Sequence, residues 1–290
     1  MQASVNLLTV DLEEWFVVEV LRDRYPQPTW ASLPSTLTAN VRRLLALFHE
    51  KNVKATWFIL GWCAEHHPGI IEEIAALGHE IACHSYWHRR VDSMTPEEFR
   101  EDTRRAIDAI INATGVMPRG YRAPSWSIHN KVAWAFDVLA DMGFDYDSSI
   151  FPIKHDLYGM PTGPRELFRM ETSSGKLLYE FPNSTYRLLG RNVPVSGGGY
   201  LRHSPYWYSR QMIRKLNAEG RPAMMYVHPW ELDPKPPQID GLSAVQWFRT
   251  YGSTEIFSYK INRLLTDFRF TTISDYIDER AGRAVGTAGA

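Results

Sequence analysis

The sequence predicts an α/β fold: a parallel sheet with helices outside it, either open or closed into a barrel. Three observations predict this. Apolar runs of strand length recur, and each is followed by a longer segment of helical period. A hydrophobic content of 44% over 290 residues supplies a core large enough for one large domain or two small ones. Repeated strand–helix units imply parallel pairing, because each crossover returns the chain to the same edge of the sheet.

Taken in order, residues 5–10 read as the first strand, and 37–51 as an amphipathic helix with Val41, Leu44, Leu45, Leu47 and Phe48 on one side. A second strand at 55–60, a helix at 69–77 stopped by Gly78, and a third strand at 79–83 follow. Ser93-Met94-Thr95-Pro96-Glu97-Glu98 opens the next helix with a capping residue, a first-turn proline and early acids, and that helix runs to about Thr114 before Gly115. A strand at 119–122, a helix at 131–142 and a strand at 144–147 continue the alternation. Residues 151–204 break it: they are rich in Pro and Gly, with a hairpin pairing 167–170 with 177–181 and the Gly197-Gly198-Gly199 loop. They read as an insertion over the C-terminal edge of the sheet. The order resumes with a helix at 205–219, a strand at 223–228, a helix at 254–268 and a last strand at 270–273. One catalytic domain over 1–280 is expected, with 281–290, rich in Gly and Ala, as a disordered tail.

Composition narrows the function. Lys+Arg 32 against Asp+Glu 33 gives a formal charge of -1, which removes the usual electrostatic basis for binding nucleic acid or an anionic membrane. Ten tryptophans and 14 tyrosines suit a cleft whose walls stack on sugar rings, and equally an aromatic-rich core. Two cysteines, Cys63 and Cys83, make neither a disulfide framework nor a Cys-x-x-Cys site, so buried thiols are expected. With no basic, apolar leader and no run long enough to span a bilayer, the expectation is a soluble cytoplasmic protein.

Unusual polar residues collect at the C-terminal ends of the strands. Asp11 and Glu13 follow the first, His84 and His88 the third, Arg122 the fourth, Asp147 the fifth, and His228 the strand before Pro229. Parallel α/β folds build active sites on that rim. Two imidazoles with one carboxylate are a standard donor set for a catalytic divalent metal, here His84 and His88 with Asp11 or Glu13. A helical turn or a tight loop over 84–88 puts both rings on one side. His67 and His79 are expected to satisfy nearby backbone groups instead.

With these residues placed, most of the chain resembles the polysaccharide deacetylases, carbohydrate esterase family four. The family carries five motifs in a fixed order on a distorted (β/α) barrel, which implies about seven parallel strands here plus the inserted hairpin region. Its first motif, Thr-Phe-Asp-Asp, corresponds to Thr9-Val10-Asp11-Leu12-Glu13. The resemblance implies Asp11 as general base. The family's ligand position holds Leu12, so Glu13 takes that role by similarity to the cyclic-amide and atypical peptidoglycan branch, since a strand turns residues 11 and 13 the same way and Leu12 and Glu14 elsewhere. His-(Ser/Thr)-x-x-His is matched in full by His84-Ser85-Tyr86-Trp87-His88. Arg122-Ala123-Pro124-Ser125-Trp126 matches the third motif, implying that Arg122 pairs with Asp11 and that the Ser125 amide stabilises an oxyanion. Asp147 in Phe144-Asp145-Tyr146-Asp147 stands where the family places a partner for the catalytic histidine, or else it caps a turn. Tyr226-Val227-His228 supplies His228 as general acid.

The implied activity is metal-assisted removal of N-acetyl groups from hexosamine units of a bacterial polysaccharide, with a divalent ion, Zn²⁺ foremost, held by Glu13, His84 and His88. Trp126, Trp230 and Tyr200 are expected to line the sugar cleft, and Trp15 to sit in the core. The stretches Gly120–Ser127 and His228–Asp233 are similar to deacetylases encoded beside exopolysaccharide and exosortase export systems, implying a nascent or lipid-linked surface glycan. Two rivals use the same residues: a ureide-type amidohydrolase, and an inactive glycan-binding relative.

Overall fold

The first strand, β1 (Val5–Leu12), sets the layout by alternating its side chains between two environments. In the computed structural model, which describes residues 4–155, 158–195 and 197–287, Leu8, Val10 and Leu12 enter the main core beneath the helices. Leu7 points the other way, into a second apolar cluster, and Thr9 and Asp11 face inward above it, where both meet Arg122.

The chain then runs α1 (Leu37–Glu50), β2 (Thr56–Ile59), α2 (Gly61–His66), α3 (Pro68–Ala76), β3 (Glu80–Cys83), α4 (Pro96–Thr114), β4 (Gly120–Tyr121), α5 (Trp134–Asp141) and β5 (Tyr146–Asp147). Next come β6 (Phe168–Glu171), β7 (Leu177–Glu180), β8 (Thr185–Leu188), β9 (Arg191–Pro194), α6 (Gly198–His203), α7 (Tyr206–Ala218) and β10 (Met224–Val227). The described chain ends with α8 (Ala244–Tyr251), α9 (Thr254–Asp267), β11 (Arg269–Thr271) and α10 (Ile273–Thr287). The start signal of α4 forms as expected. Thr95 and Glu98 exchange side-chain and backbone bonds in a capping box, and Gly115 ends the helix in the left-handed conformation (φ 69°).

The main sheet has the order β10-β1-β2-β3-β4-β5-β7-β6, with β11 also on β1. Every pairing is parallel except β6–β7. The fold class is therefore α/β with a mostly parallel sheet, and among the described residues it has one parallel strand beyond the seven expected. The extra strand is β7. Residues 151–204 are thus more than an insertion laid over the sheet: β7 continues it beyond β5. The Tyr179 and Phe181 amides donate to Asp145 and Asp147 carbonyls (3.0 and 2.9 Å), and Leu178 enters the main core while Tyr179 packs on the inner cluster. An uncovered β5 edge would leave those carbonyls unpaired, and β7 satisfies them. A second hairpin, β8–β9, turns through Leu189 and Gly190, both at positive φ.

The sheet is rolled. Leu7, Phe58, Ala82, Tyr146, Phe181 and Met224, from six separated segments, meet in one inner cluster. Ile273, Tyr276 and Ile277 of α10 close it from below. Glu80 holds that floor, accepting from Thr56 Oγ1 (2.6 Å), Tyr146 Oη (2.7 Å) and the Ser274 amide (3.1 Å) at the start of α10. Among the described residues no ladder joins β10 to β6. The gap is bridged instead by the Met224 amide, which donates to Ser184 Oγ (2.7 Å). At the far end, α10 continues to Thr287, so the stretch 281–287 expected in a disordered tail is helical; residues 288–290 lie outside the described set.

Candidate active site

Above the inner cluster, the rim of the barrel is polar. Asp11 and Glu13 point to the same side, while Leu12 is in the main core and Glu14 is buried away from the chamber, 3.8 Å from His67. Arg122 is wholly buried. Its Nη1 donates to Asp11 Oδ1 (2.6 Å) and Thr9 Oγ1 (2.9 Å), its Nη2 to Ser148 Oγ (3.0 Å) and its Nε to the Ser148 carbonyl (3.2 Å). The guanidinium stands 3.9 Å over the Phe58 ring, so it forms the boundary between apolar interior and polar rim. Its planar fork fixes the Asp11 carboxylate in charge and direction.

The stretch from His84 to His88 is a tight loop rather than a helical turn. Ser85 (φ 61°) and His88 (φ 53°) are both left-handed, a conformation disfavoured for residues with a side chain. Asp102 of α4 holds it, accepting from the Tyr86 and Trp87 amides (2.8 and 3.2 Å), while Ser85 Oγ accepts from the His88 amide (3.1 Å). His84 Nδ1–H donates to the Arg122 carbonyl (2.7 Å), which fixes the tautomer and leaves the Nε2 lone pair facing Glu13. Burial pulls His84 down to about 4, so it is neutral at pH 7. Glu13 Oε2 lies 2.8 Å from His88 Nε2 and 3.9 Å from His84 Nε2. The three donor atoms lie within 4.8 Å of one another. Burial pushes Glu13 up, but the imidazoles around it, His88 foremost, outweigh that and hold it at about 2. Trp230 Nε1 donates to its other oxygen (3.2 Å).

His228 faces this group from the end of β10. Its Nε2 is 3.9 Å from Asp11 Oδ2 and 3.8 Å from Glu13 Oε1. Its Nδ1–H donates to Glu231 Oε2 (2.9 Å), and its ring stacks on Trp230. Burial lowers its pKa, yet Glu231 first, then Glu13 and Asp11, raise it to about 9. Glu231 is itself buried, with Arg202 Nε 3.2 Å from its second oxygen, an ion pair without hydrogen-bond alignment.

Asp147 does not take the orienting role the resemblance implied. Its carboxylate accepts from the Ser149 amide (2.8 Å) and Ser149 Oγ (2.7 Å), capping the turn after β5 next to the buried Glu180 carboxyl. Glu231 occupies the orienting position instead. Its sequence signal was available: an acid three residues after the histidine, across a proline turn, reaches back to its ring. Asp102 had a signal too, as an acid on the apolar face of α4 beside Phe99 and Ala106.

Asp11, Glu13, His84, His88, His228 and Ser125 share one chamber of about 190 Å³. Ser125 (φ 52°) and Trp126 (φ 50°) are consecutive left-handed residues at its wall. Trp126 packs on Phe151 and Tyr226, with Tyr200 next in the same aromatic cluster. Trp230 lines the chamber directly, and Trp15 is held in the core by its Nε1 bond to the Pro34 carbonyl (3.0 Å). His79 Nδ1 accepts from the Ala55 amide (3.1 Å), but His67 makes its side-chain approach to Glu14 rather than to the backbone. Both cysteines are free and buried.

Comparison with known proteins supplies independent information. Residues 27–146 match the polysaccharide deacetylase family, and residues 148–278 match a domain of unknown function, DUF3473. Over 110 residues the chain is 33% identical to a peptidoglycan deacetylase of Helicobacter pylori, covering 38% of this chain and 36% of that protein. Over 94 residues it is 33% identical to a peptidoglycan-N-acetylglucosamine deacetylase of Bacillus cereus, covering 32% and 34%. The chain thus spans about a third of the length of these curated relatives. A Mycobacterium smegmatis protein assigned to the polysaccharide deacetylases shares the fold, with a TM-score of 0.63 and 22% identity over 98% of this chain and 93% of that one. The first family match contains His84, His88 and Arg122, and the second contains Arg202, His228 and Glu231.

Proposed function

We propose that this chain, whose residues 27–146 match the polysaccharide deacetylase family, hydrolyses N-acetyl groups from hexosamine units of a bacterial polysaccharide in a metal-dependent reaction. One observation carries the reading: a buried Glu-His-His donor set, an Arg-held carboxylate and a Glu-held imidazole all border the same small chamber.

The donor set fits a divalent cation. Two imidazole nitrogens and one carboxylate converge, His84 presents a free Nε2 because its Nδ1 is engaged, and Glu13 is held ionised. Zinc is the ion proposed, since this mixed N/O set suits it. Bound by Glu13, His84 and His88, such an ion supplies Lewis-acid polarisation of the acetyl carbonyl and acidifies water.

The protein's own residues do the rest. Asp11, aimed by Arg122, accepts a proton from the attacking water as its oxygen bonds to the acetyl carbon. The Ser125 amide donates a hydrogen bond to the developing oxyanion. His228, protonated at neutral pH and held by Glu231, gives its proton to the leaving nitrogen as the C–N bond breaks. The products are acetate and a free amine. The chamber shares Val18, Glu19, Tyr158, Tyr226, His228 and Trp230 with a larger cavity, which supports a substrate bigger than a small cyclic amide. The resemblance of Gly120–Ser127 and His228–Asp233 to export-linked deacetylases supports a role in exopolysaccharide synthesis.

The test is acetate release from N-acetylglucosamine oligomers by the full chain, with chelator and after restoring Zn²⁺. Release that stops with chelator and returns with zinc is expected. No release under any metal condition, from a folded protein, would sink the proposal.

A further inference from the structure

Beside the reaction chamber lies a cavity of about 1080 Å³, and its chemistry differs from that of the chamber. That volume is at the upper end for a small-molecule site. Trp15, Val20, Ile239, Val245, Phe248 and Tyr251 contribute apolar wall. Three of the polar groups in the wall are turned into the protein. Arg202 donates to the Thr250 carbonyl (2.7 Å) and pairs with Glu231, Asp233 accepts from Asn40 (3.0 Å) and the Lys235 amide (2.9 Å), and Tyr251 Oη donates to the Pro237 carbonyl (2.6 Å). A sugar chain needs hydrogen-bond partners along its hydroxyls, and the Val20, Ile239, Val245 and Phe248 side of the wall offers apolar contact instead.

The mouth is apolar as well. Val245 and Phe248 on α8 line the cavity yet are 61% and 53% exposed, and Trp247 beside them is 52% exposed. Apolar side chains left open to water at the entrance of an apolar cavity mark a binding surface. The chamber of about 190 Å³ accommodates little more than the reacting acetamido group and part of its ring, so whatever the sugar carries projects into the cavity through the six shared residues.

We infer that this cavity is a subsite for a hydrocarbon chain attached to the substrate's sugar, so that the substrate is an amphiphile, a glycan end joined to an apolar chain. The identity of the reacting end rests on the deacetylase reading; the occupant of the cavity rests on its walls. The chain is drawn in by burial of its methylene groups against α8 and the aromatic cluster, and the amide carbonyl is left between Asp11 and His228.

The experiment uses the zinc-loaded full chain and β-glycosides of N-acetylglucosamine bearing methyl, hexyl or octyl groups, each below its micelle concentration. Acetate release gives kcat/KM, and calorimetric titration gives binding to the same protein. The octyl glycoside should exceed the methyl glycoside by roughly 10-fold or more in both, since each buried methylene strengthens binding severalfold. The double variant Val245→Glu, Phe248→Glu should remove that difference and leave the methyl glycoside unchanged. Equal turnover and equal binding of methyl and octyl glycosides overturns the subsite while leaving the deacetylase reading intact. So does a gain that follows added sugar units but not alkyl length. Octyl-selective binding lost in the double variant supports the subsite even if no glycoside releases acetate, in which case the deacetylase reading alone fails.

Discussion

His228 and Glu231 are joined twice through one oxygen: Glu231 Oε2 accepts from the imidazole Nδ1–H at 2.9 Å and from the His228 backbone N–H at 3.0 Å. The short turn between them therefore fixes the ring in position as well as in charge. Against the pull of burial, His228 first, then Arg202 behind it, keep Glu231 ionised, and the imidazole is raised from 6.5 to about 9. A histidine raised on folding adds stability that is complete below pH 6.5 and lost as pH climbs through about 9.

A general acid must be protonated, so activity should fall on the alkaline side near pH 9, where His228 loses its proton. Glu231→Gln keeps the shape and removes the charge. The high-pH limb of kcat/KM should then move down towards 6.5, with roughly a 10-fold or greater loss at pH 8. A pH–rate profile of the two proteins checks this. An unmoved limb would show that the carboxylate does not govern the proton.

Asp11 and Arg122 predict a separation of activity from stability. Asp11→Asn preserves volume and an acceptor for Arg122 but removes its counter-charge, so deacetylation should drop by roughly 10²–10⁴-fold with a smaller loss of stability than Arg122→Ala causes. Arg122→Ala leaves the Asp11 carboxylate buried without its partner and strips bonds from Thr9 and Ser148, a destabilisation of about 3–5 kcal/mol. Urea unfolding followed by tryptophan fluorescence, alongside acetate release, distinguishes the two.

Metal binding should couple to folding. Zinc at about 100 times its Kd should stabilise the protein by about 2.7 kcal/mol, seen as a rise in Tm that a chelator reverses. Glu13→Gln should abolish most of the shift. Asp102→Asn touches no ligand directly, yet it loosens the Tyr86 and Trp87 amides that shape the histidine loop, and about 10–100-fold weaker zinc binding is expected. A full zinc-induced shift in Glu13→Gln would remove that carboxylate from the ligand set.

Two glycines offer a contrast in packing. A Cβ on Gly120 would stand 1.9 Å from Tyr146 Cζ, so Gly120→Ala must displace either β4 or the tyrosine that bonds Glu80. A loss of about 1–3 kcal/mol is expected. Gly69 in α3 has nothing within 4 Å of the corresponding position, and Gly69→Ala should be neutral or gain up to about 1 kcal/mol. Thermal unfolding of both variants tests the pair.

Periodicity carried much of this structure in plain view. The inward turn of residues 11 and 13, the capped start of α4 and the strand-end placement of His84, Arg122 and His228 all follow from local pattern. What pattern could not supply was long-range pairing. Whether residues 177–180 close a local hairpin or also extend the main sheet depends on the exposed β5 edge, which no local signal describes. Glu231 was missed although its bond to His228 is local, three residues away; only its second partner, Arg202, is brought to it by tertiary packing. The large cavity escaped because α6, α8 and the turn after β10 meet only in three dimensions; α8 opens on a Ser243–Gln246 capping box, but nothing local says what that helix faces.

The two-residue interval from Asp11 to Glu13 has a mechanical consequence. About 6.6 Å of extended backbone separates them, and β1 is clamped by β10 on one edge and by β2 and β11 on the other. Asp11, the proposed proton acceptor, sits in that clamped strand and Glu13, the proposed metal ligand, one residue past its end, so their spacing is set by covalent geometry. His228 follows β10, the strand paired with β1 through Val10 and Val227, so it stands level with Asp11, and its ring is steadied by Glu231 with Arg202 behind it. The Asp11–His228 span across which the proposed proton transfers run is thus fixed by one ladder register, as a rung spacing is fixed by its rails.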